Sequence, residues 1–172
     1  MQLRKASLED KTELKQICIS GYSIYFADYW NANGLEWYLN EQFGDQKLKS
    51  DLANKNIDYY LIYDTKDLIG FVKVNSNPNP TFPTQVITEL EKMYVLPEFK
   101  GQGIGRKVLA EVINIIQKRG SRMFFLDVLD TNKSAIEFYK KLGFNFLHSS
   151  RLNLPYFKDH LRGINRMIME LA

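Results

Sequence analysis

A glycine-rich turn in the second half of this 172-residue chain lies between two basic residues. Gly101, Gly103 and Gly105 alternate with other residues between Lys100 and Arg106. The hydrophobic pattern predicts a strand before the turn and a helix after it, and the first backbone N–H groups of a helix have no partner within it. Such a helix start binds phosphate or pyrophosphate, and glycine lets the backbone approach the anion closely. The turn therefore predicts a site for a phosphate-bearing cofactor.

Two common phosphate-binding motifs fit this turn poorly. A P-loop needs a Lys-Ser or Lys-Thr pair after its glycines, whereas Gly105 is followed by Arg-Lys-Val. A dinucleotide-binding fingerprint spaces its glycines G-x-G-x-x-G directly after an early strand. Here the glycines alternate and 100 residues precede Gly101. A purely structural glycine turn and a cofactor of another kind both stay open at this point.

A second pattern follows the turn and reads Asn-Lys-Ser-Ala-Ile-Glu-Phe-Tyr-Lys-Lys-Leu-Gly-Phe over residues 132–144. Thr131 or Asn132 is placed to cap a short helix, and Gly143 is placed to end it. Ala135 and Tyr139 are four residues apart and so lie on one face of that helix. Two roles remain for Tyr139, a core aromatic or a phenol directed at a ligand.

Taken together and in this order, the two segments resemble the Gcn5-related N-acetyltransferases (GNAT). The cofactor loop of that family reads Gln/Arg-x-x-Gly-x-Gly/Ala, and residues 100–105 match it except that Lys100 stands in the first position. Lysine keeps the positive charge but lacks the planar paired donors of arginine. Residues 132–144 carry every anchor of the second family signature, Asn-x-x-Ala-x-x-x-Tyr-x-x-x-Gly-Phe. The resemblance implies acetyl-CoA as co-substrate, no metal, and direct acetyl transfer to an amine without an acyl-enzyme.

The resemblance also implies a role for individual residues. The N–H of Met93 would polarise the thioester carbonyl, the main chain of Val95 would hold the pantetheine arm, and Tyr139 would protonate the departing thiolate. Amides of the glycine turn would bind the pyrophosphate. The cofactor-binding residues implied in this way are Met93, Tyr94, Val95, Lys100, Gly101, Gln102, Gly103, Ile104, Gly105, Arg106, Asn132, Ala135 and Tyr139.

Two carboxylates are candidates for the general base. An amine acceptor needs one, because an alkyl ammonium has a pKa of about 10.4. Glu89 lies eleven residues before Lys100, where the histone-acetylating branch of the family places its base, and Glu91 follows two residues later. The apolar positions of this strand change parity between Leu90 and Met93, which predicts a β-bulge. The choice between the two carboxylates stays open, as does a solvated role for either.

The elements around these segments predict a mixed α/β fold in a single domain over residues 1–172. Strands are predicted at residues 3–6, 57–63, 68–74, 87–96, 123–129, 144–147 and 164–171. A first helix is predicted to begin after an N-cap at Ser7, with Asp10 three residues on. An interrupted helical pattern follows over residues 22–56, with a break at residues 31–34, and a loop is predicted at residues 75–83. The resemblance adds a central, mostly antiparallel sheet with a splayed parallel pair and helices on its faces.

Composition excludes several classes of protein. The net charge of +3 comes without a basic run, so we expect no nucleic-acid partner. The single cysteine, Cys18, forms no internal disulfide and no multi-thiolate metal site, and its spacing is typical of core packing. No apolar run reaches membrane-spanning length and no signal segment opens the chain, so we expect a cytoplasmic protein without a membrane partner.

The acceptor is the least defined part of the prediction. Residues 41–48, 59–63, 69–75 and 89–95 resemble the bacterial Pai-type polyamine N-acetyltransferases, which implies spermidine, spermine or another small amine. Cation–π contacts and acidic side chains would suit such a polycation, and the candidates are Asp28, Tyr29, Trp30, Glu36 and Trp37. A protein or peptide amine remains an alternative, as does a non-catalytic acyl-CoA-binding module. The sequence leaves the oligomeric state open, with a homodimer among the options.

Overall fold

A computed structural model describes residues 1–76 and 87–171, and one mixed sheet of seven strands runs through them. The strands are β1 Gln2–Lys5, β2 Ile57–Asp64, β3 Asp67–Asn75, β4 Ile87–Val95, β5 Met123–Leu129, β6 Asn145–Arg151 and β7 Gly163–Glu170. Their order in the sheet is β1-β2-β3-β4-β5-β7-β6. Within the described residues β4 and β5 pair in parallel and every other neighbouring pair is antiparallel. The predicted fold class is confirmed.

Five α-helices cover the two faces of the described sheet. They are α1 Lys11–Phe26, α2 Gly34–Phe43, α3 Asp45–Ala53, α4 Ile104–Lys118 and α5 Lys133–Lys141. On one face the apolar stripe of α4, represented by Val108 and Val112, packs with Ile136 of α5 against the sheet. On the other face α1–α3 bury Leu14, Phe43 and other side chains. Each helix thus presents one apolar stripe to the sheet, as amphipathic periodicity requires.

Most element boundaries agree with the prediction, and the differences have local causes. Ser7 and Asp10 form a capping box around a short 3₁₀ turn, so α1 begins only at Lys11. The predicted break at residues 31–34 is present, and Asn33 there has a left-handed backbone. The strand predicted at residues 144–147 extends to Arg151, because β6 pairs along β7 over its whole length. Residues 77–83 of the loop predicted at 75–83 lie outside the described part of the chain.

The predicted bulge in β4 is confirmed. In the pairing with β3, Lys73 lies opposite Lys92, and Val74 lies opposite Leu90. Glu91 is therefore the extra residue. An extra residue bends its strand and interrupts the ladder at that point. The apolar core side chains of β4 accordingly change parity, from Leu90 before the bulge to Met93 and Val95 after it.

Candidate functional site

A gap opens in the sheet where β4 and β5 separate. Their parallel pairing includes Ile87, Thr88 and Glu89 and does not continue beyond Glu89 within the described residues, although both strands run on. The N–H of Leu96 bonds to Ile69 of β3. Because backbone groups of successive strand residues face opposite edges, those of Met93 and Val95 face the gap. Backbone groups without a strand partner at such a gap can bind an extended amide-containing ligand, although the Val95 carbonyl already accepts one hydrogen bond from Tyr25.

The glycine turn and the start of α4, residues 100–106, lie at one end of this gap. They form an anion-binding cradle. Gly103 precedes the helix with φ +74°, and Gly101 has φ +78°. A Cβ atom at either position would have no described atom within 4 Å. No side chain of the described residues caps the helix, and its first turn lacks an acidic residue. The first amides of α4 therefore have no side-chain cap within the described residues, and the helix dipole favours negative charge at this end.

The cradle, the edge of β4 and helix α5 meet at Gly105. A Cβ atom on Gly105 would lie 3.3 Å from the Phe138 ring and 3.7 Å from the Met93 side chain. A larger residue would therefore push α4 away from α5. Because Gly105 has no side chain, the cradle can lie directly beside the gap.

Helix α5 carries the anchor residues of the second motif, Asn132, Ala135 and Tyr139, on the same side of the sheet as α4. Asn132 is the N-cap, and its carboxamide oxygen accepts hydrogen bonds from the Ala135 N–H at 3.2 Å and the Ser134 hydroxyl at 3.1 Å. Ala135 and Tyr139 both pack at the margin of the core that contains Met93 and Val95. Of the two predicted caps, Thr131 and Asn132, the helix uses Asn132.

Tyr139 is half-buried between two aromatic rings. Its ring centroid lies 5.2 Å from that of Phe138 and 5.6 Å from that of Phe144. Among the described residues its hydroxyl has no hydrogen-bond partner. Burial raises the pKa of Tyr139 to about 12, so the phenol is protonated at neutral pH. A protonated phenol can donate a hydrogen bond to a ligand.

Tyr25 of α1 joins this site from the other face, and the sequence did not reveal it. Its hydroxyl donates a hydrogen bond of 2.6 Å to the Val95 carbonyl. The ammonium of Lys100 lies 4.0 Å from the centroid of its ring, in a cation–π contact. Tyr25 thus links the first residue of the glycine turn to the strand edge. Its helical spacing with Tyr22 and Tyr29 was visible in the sequence, but that pattern is also typical of core packing.

The two carboxylates proposed as bases have opposite environments. Glu91 is bound by Lys73 at 2.9 Å and by Lys92 at 2.7 Å. Burial alone would raise its pKa, but the positive charges of Lys92 and Lys73 outweigh burial and lower the pKa to about 2. The carboxylate of Glu89 makes no hydrogen bond or ion pair among the described residues. Burial, together with the negative charge of Glu91, raises the pKa of Glu89.

A buried charge network extends from Glu91 to α3. The Lys73 side chain is 2 % exposed and also contacts Asp51 at 3.0 Å. The Tyr59 hydroxyl donates a hydrogen bond of 2.9 Å to the same carboxylate, and Lys47 pairs with it at 2.5 Å. The bulge residue is therefore fixed to the partner strand and, through it, to a helix.

Aromatic rings fill the face between α1, α2 and the loop before β7. Tyr22 stacks on Tyr38 at 4.6 Å, and Trp30 lies 4.8 Å from Tyr38 and 4.9 Å from Phe157. Tyr94 of β4 contacts Tyr22 at 6.0 Å and brings this cluster to the bulged strand. The cluster forms an aromatic wall next to the carboxylates.

The five residues named from the sequence for acceptor binding do not form one uniform surface. Asp28 and Glu36 are exposed, Tyr29 and Trp37 are half-buried, and Trp30 is buried. Trp30 bridges to Phe157 and so fixes the loop before β7 to the segment that precedes α2.

The described part of the chain has no helix whose length and apolar character would allow it to span a membrane.

Comparison with known proteins gives a family and several relatives. A family model described as the acetyltransferase (GNAT) family matches residues 22–144. An uncharacterized N-acetyltransferase of Methanocaldococcus jannaschii is 30% identical over 141 residues, which are 81% of this chain but only 57% of that relative. A spermidine N(1)-acetyltransferase of Thermoplasma acidophilum is 26% identical over 148 residues, 84% of this chain and 88% of the relative.

One similar solved structure has the same fold. It is the crystal structure of the PaiA N-acetyltransferase from Thermoplasma acidophilum in complex with coenzyme A. The TM-score is 0.74 at 24% identity, with 96% of each chain covered. At this identity the similarity shows the fold.

Proposed function

The chain belongs to the acetyltransferase (GNAT) family, and from that premise we propose that it transfers the acetyl group of acetyl-CoA directly to a primary amine of a polyamine such as spermidine. One observation carries the proposal. The strands β4 and β5 part after Glu89, so the backbone edge of Met93 and Val95 faces a gap that leads to the start of α4. An elongated ligand with a pyrophosphate at one end and amides along its length fits such an arrangement.

The proposed cofactor contacts follow from the orientation of these backbone groups. The amides of residues 101–106 bind the pyrophosphate, with Lys100 and Arg106 supplying positive charge. The Val95 main chain holds the pantetheine arm, and the Met93 N–H stabilises the negative charge that develops on the thioester oxygen. Asn132 and Ala135 border the arm.

The proposed chemistry is a single direct transfer. Glu89 accepts a proton from the acceptor ammonium, directly or through water, since raising the pKa of a carboxyl makes it a stronger base. The neutral amine attacks the thioester carbonyl, the C–S bond breaks, and Tyr139 protonates the departing thiolate. The acetylated nitrogen loses its second proton to water, and the Tyr139 phenolate regains a proton from solvent, so that each turnover releases one amide, one thiol and one proton. We assign the base to Glu89 because the Glu91 carboxylate is neutralised by two lysines.

The polyamine acceptor is supported by the spermidine acetyltransferase relative, which aligns over 84% of this chain. The half-buried rings of Tyr29 and Trp37 offer faces to which alkylammonium groups can bind, whereas Tyr22, Trp30, Tyr38 and Phe157 of the aromatic wall are buried.

A panel assay tests the proposal. Purified protein is incubated with acetyl-CoA and, separately, with spermidine, spermine, free lysine and a peptide with a free α-amine, while released thiol is followed. We expect thiol release with the polyamines at a kcat/KM at least tenfold above that for lysine or the peptide. Preference for the peptide would assign a protein acetyltransferase instead. Tight binding of acetyl-CoA without thiol release for any amine would assign a non-catalytic acyl-CoA-binding module.

A further inference from the structure

An ion pair on the far side of the gap lies next to the proposed base. Arg166 of β7 binds Asp127 of β5 in a bidentate contact, with Nε 2.8 Å from Oδ1 and Nη2 2.7 Å from Oδ2. The two residues are also partners in the strand register. Both side chains are about one-quarter exposed, so the pair lies at the surface of the sheet.

The register places this pair near Glu89. Phe125 of β5 is the parallel partner of Glu89, and the Arg166 guanidinium lies 4.6 Å from the centroid of its ring. Asp127 is two residues beyond Phe125 on the same strand and therefore on the same face. The Arg166 guanidinium thus covers the Phe125 ring beside Glu89, while its Nε and Nη2 atoms donate hydrogen bonds to Asp127.

We propose that Asp127 and Arg166 are positioning residues that set the basicity of Glu89, each limiting the effect of the other's charge. This inference rests on the proposed function, in which Glu89 is the base. Without Asp127, the Arg166 guanidinium would be free to pair with Glu89 and hold it as a weakly basic carboxylate. Without Arg166, Asp127 would be an uncompensated negative charge that disfavours ionisation of Glu89.

Other charged groups also act on Glu89. Besides Asp127 and Arg166, they are Glu91, which raises its pKa, and Lys92, which lowers it. The β3 partner of Glu89 is the uncharged Asn75. His148 of β6, a further ionisable side chain, lies opposite Arg166 in the register.

The test compares Asp127→Asn, Arg166→Gln and the double variant. The side-chain carboxyl carbons of protein labelled with ¹³C-glutamate are titrated by NMR, and the resonance missing in Glu89→Gln identifies Glu89. We expect Asp127→Asn to lower the Glu89 pKa and Arg166→Gln to raise it, each by about one pH unit. The double variant should titrate close to wild type, because both charges are absent. The acid limb of the pH profile of kcat/KM should move to lower pH in Asp127→Asn and to higher pH in Arg166→Gln.

Two controls separate this effect from general changes of charge. Arg151→Gln removes the same charge from another Arg–Asp contact, that with Asp159, and should leave Glu89 unchanged. His148→Gln should also leave it unchanged. The backbone NMR spectrum checks the fold, and Asp127→Ser replaces Asp127→Asn if that variant misfolds.

The outcomes are distinguishable from those of the proposed function. Single variants that leave the Glu89 titration unchanged, or shift it in the same direction, would overturn the role of the pair even if acetylation occurs. If the wild type acetylates no amine, the proposed function fails, while the titration still reports whether the pair controls the Glu89 carboxyl.

Discussion

Tyr139 offers the sharpest test at the scale of a single residue. Its hydroxyl has no acceptor among the described residues, and its pKa of about 12 keeps the proton available. We predict that Tyr139→Phe lowers kcat roughly 10²-fold or more, while the KM for acetyl-CoA changes little. Steady-state kinetics with spermidine would measure both constants.

Tyr60 provides a matched control for that substitution. Burial likewise raises its pKa to about 12, but its hydroxyl contacts Asp58 rather than the gap. Tyr60→Phe should leave kcat within about twofold of wild type, because it removes no group proposed to touch the cofactor. An unchanged kcat in Tyr139→Phe would return Tyr139 to a packing role.

At the same scale, Lys73 shows how a buried ion can hold a backbone irregularity. It lies between Asp51 and Glu91 and is almost fully buried. Lys73→Met would leave two carboxylates without that cation, and we predict a loss of roughly 3–5 kcal/mol in the free energy of unfolding. The exposed Lys140, paired with Glu137 on α5, is the control. Lys140→Met should cost about 0.5 kcal/mol or less in urea denaturation. Equal losses for the two variants would show that the buried network contributes no more than a surface pair.

At the scale of elements, glycines at the two ends of α4 distinguish the anion-binding role of the cradle from the effect of backbone strain alone. Gly103 at its start and Gly120 just beyond its end both have positive φ, and a Cβ at either would meet no described atom within 4 Å. Alanine at either position should destabilise the fold by about 1–2 kcal/mol. Only Gly103→Ala should also weaken acetyl-CoA binding, by tenfold or more in calorimetry. Equal affinities for the two variants would remove the cradle from the binding site.

The elements also show why some of the site could be predicted from the sequence and some could not. The bulge followed from a change of parity between Leu90 and Met93, which is a local property of one strand. The contact of Tyr25 with Val95 joins residues 70 positions apart, and that of Arg166 with Asp127 spans 39. Such pairs depend on how helices and strands are placed in space. A periodic pattern gives only the face on which each residue lies.

At the scale of the whole molecule, stability should depend on pH through the buried carboxylates. The pKa values of Glu91, Asp51 and Asp58 are lowered in the folded state, each by nearby cations that outweigh the effect of burial. Their contribution to stability is therefore present above the unfolded pKa of about 4 and is lost as pH falls. For Glu91 the loss is complete only near its folded pKa of about 2.

Glu89 acts in the opposite sense. Its folded pKa is raised, so its contribution to stability is present below an unfolded pKa of about 4 and is lost as pH rises through the folded value.

Urea denaturation should give a free energy of unfolding that falls from pH 5 to pH 2, and Glu91→Gln should flatten this slope. A slope unchanged in Glu91→Gln would contradict the pairing of Glu91 with the two lysines.

The central claim is direct acetyl transfer to a polyamine, and the product itself tests it. Spermidine is incubated with the protein and acetyl-CoA labelled with ¹³C in the acetyl group, and the amines are analysed by mass spectrometry. We predict spermidine carrying one labelled acetyl group, in an amount equal to the thiol released. Thiol release without acetylated spermidine, or no transfer at all, would contradict this account.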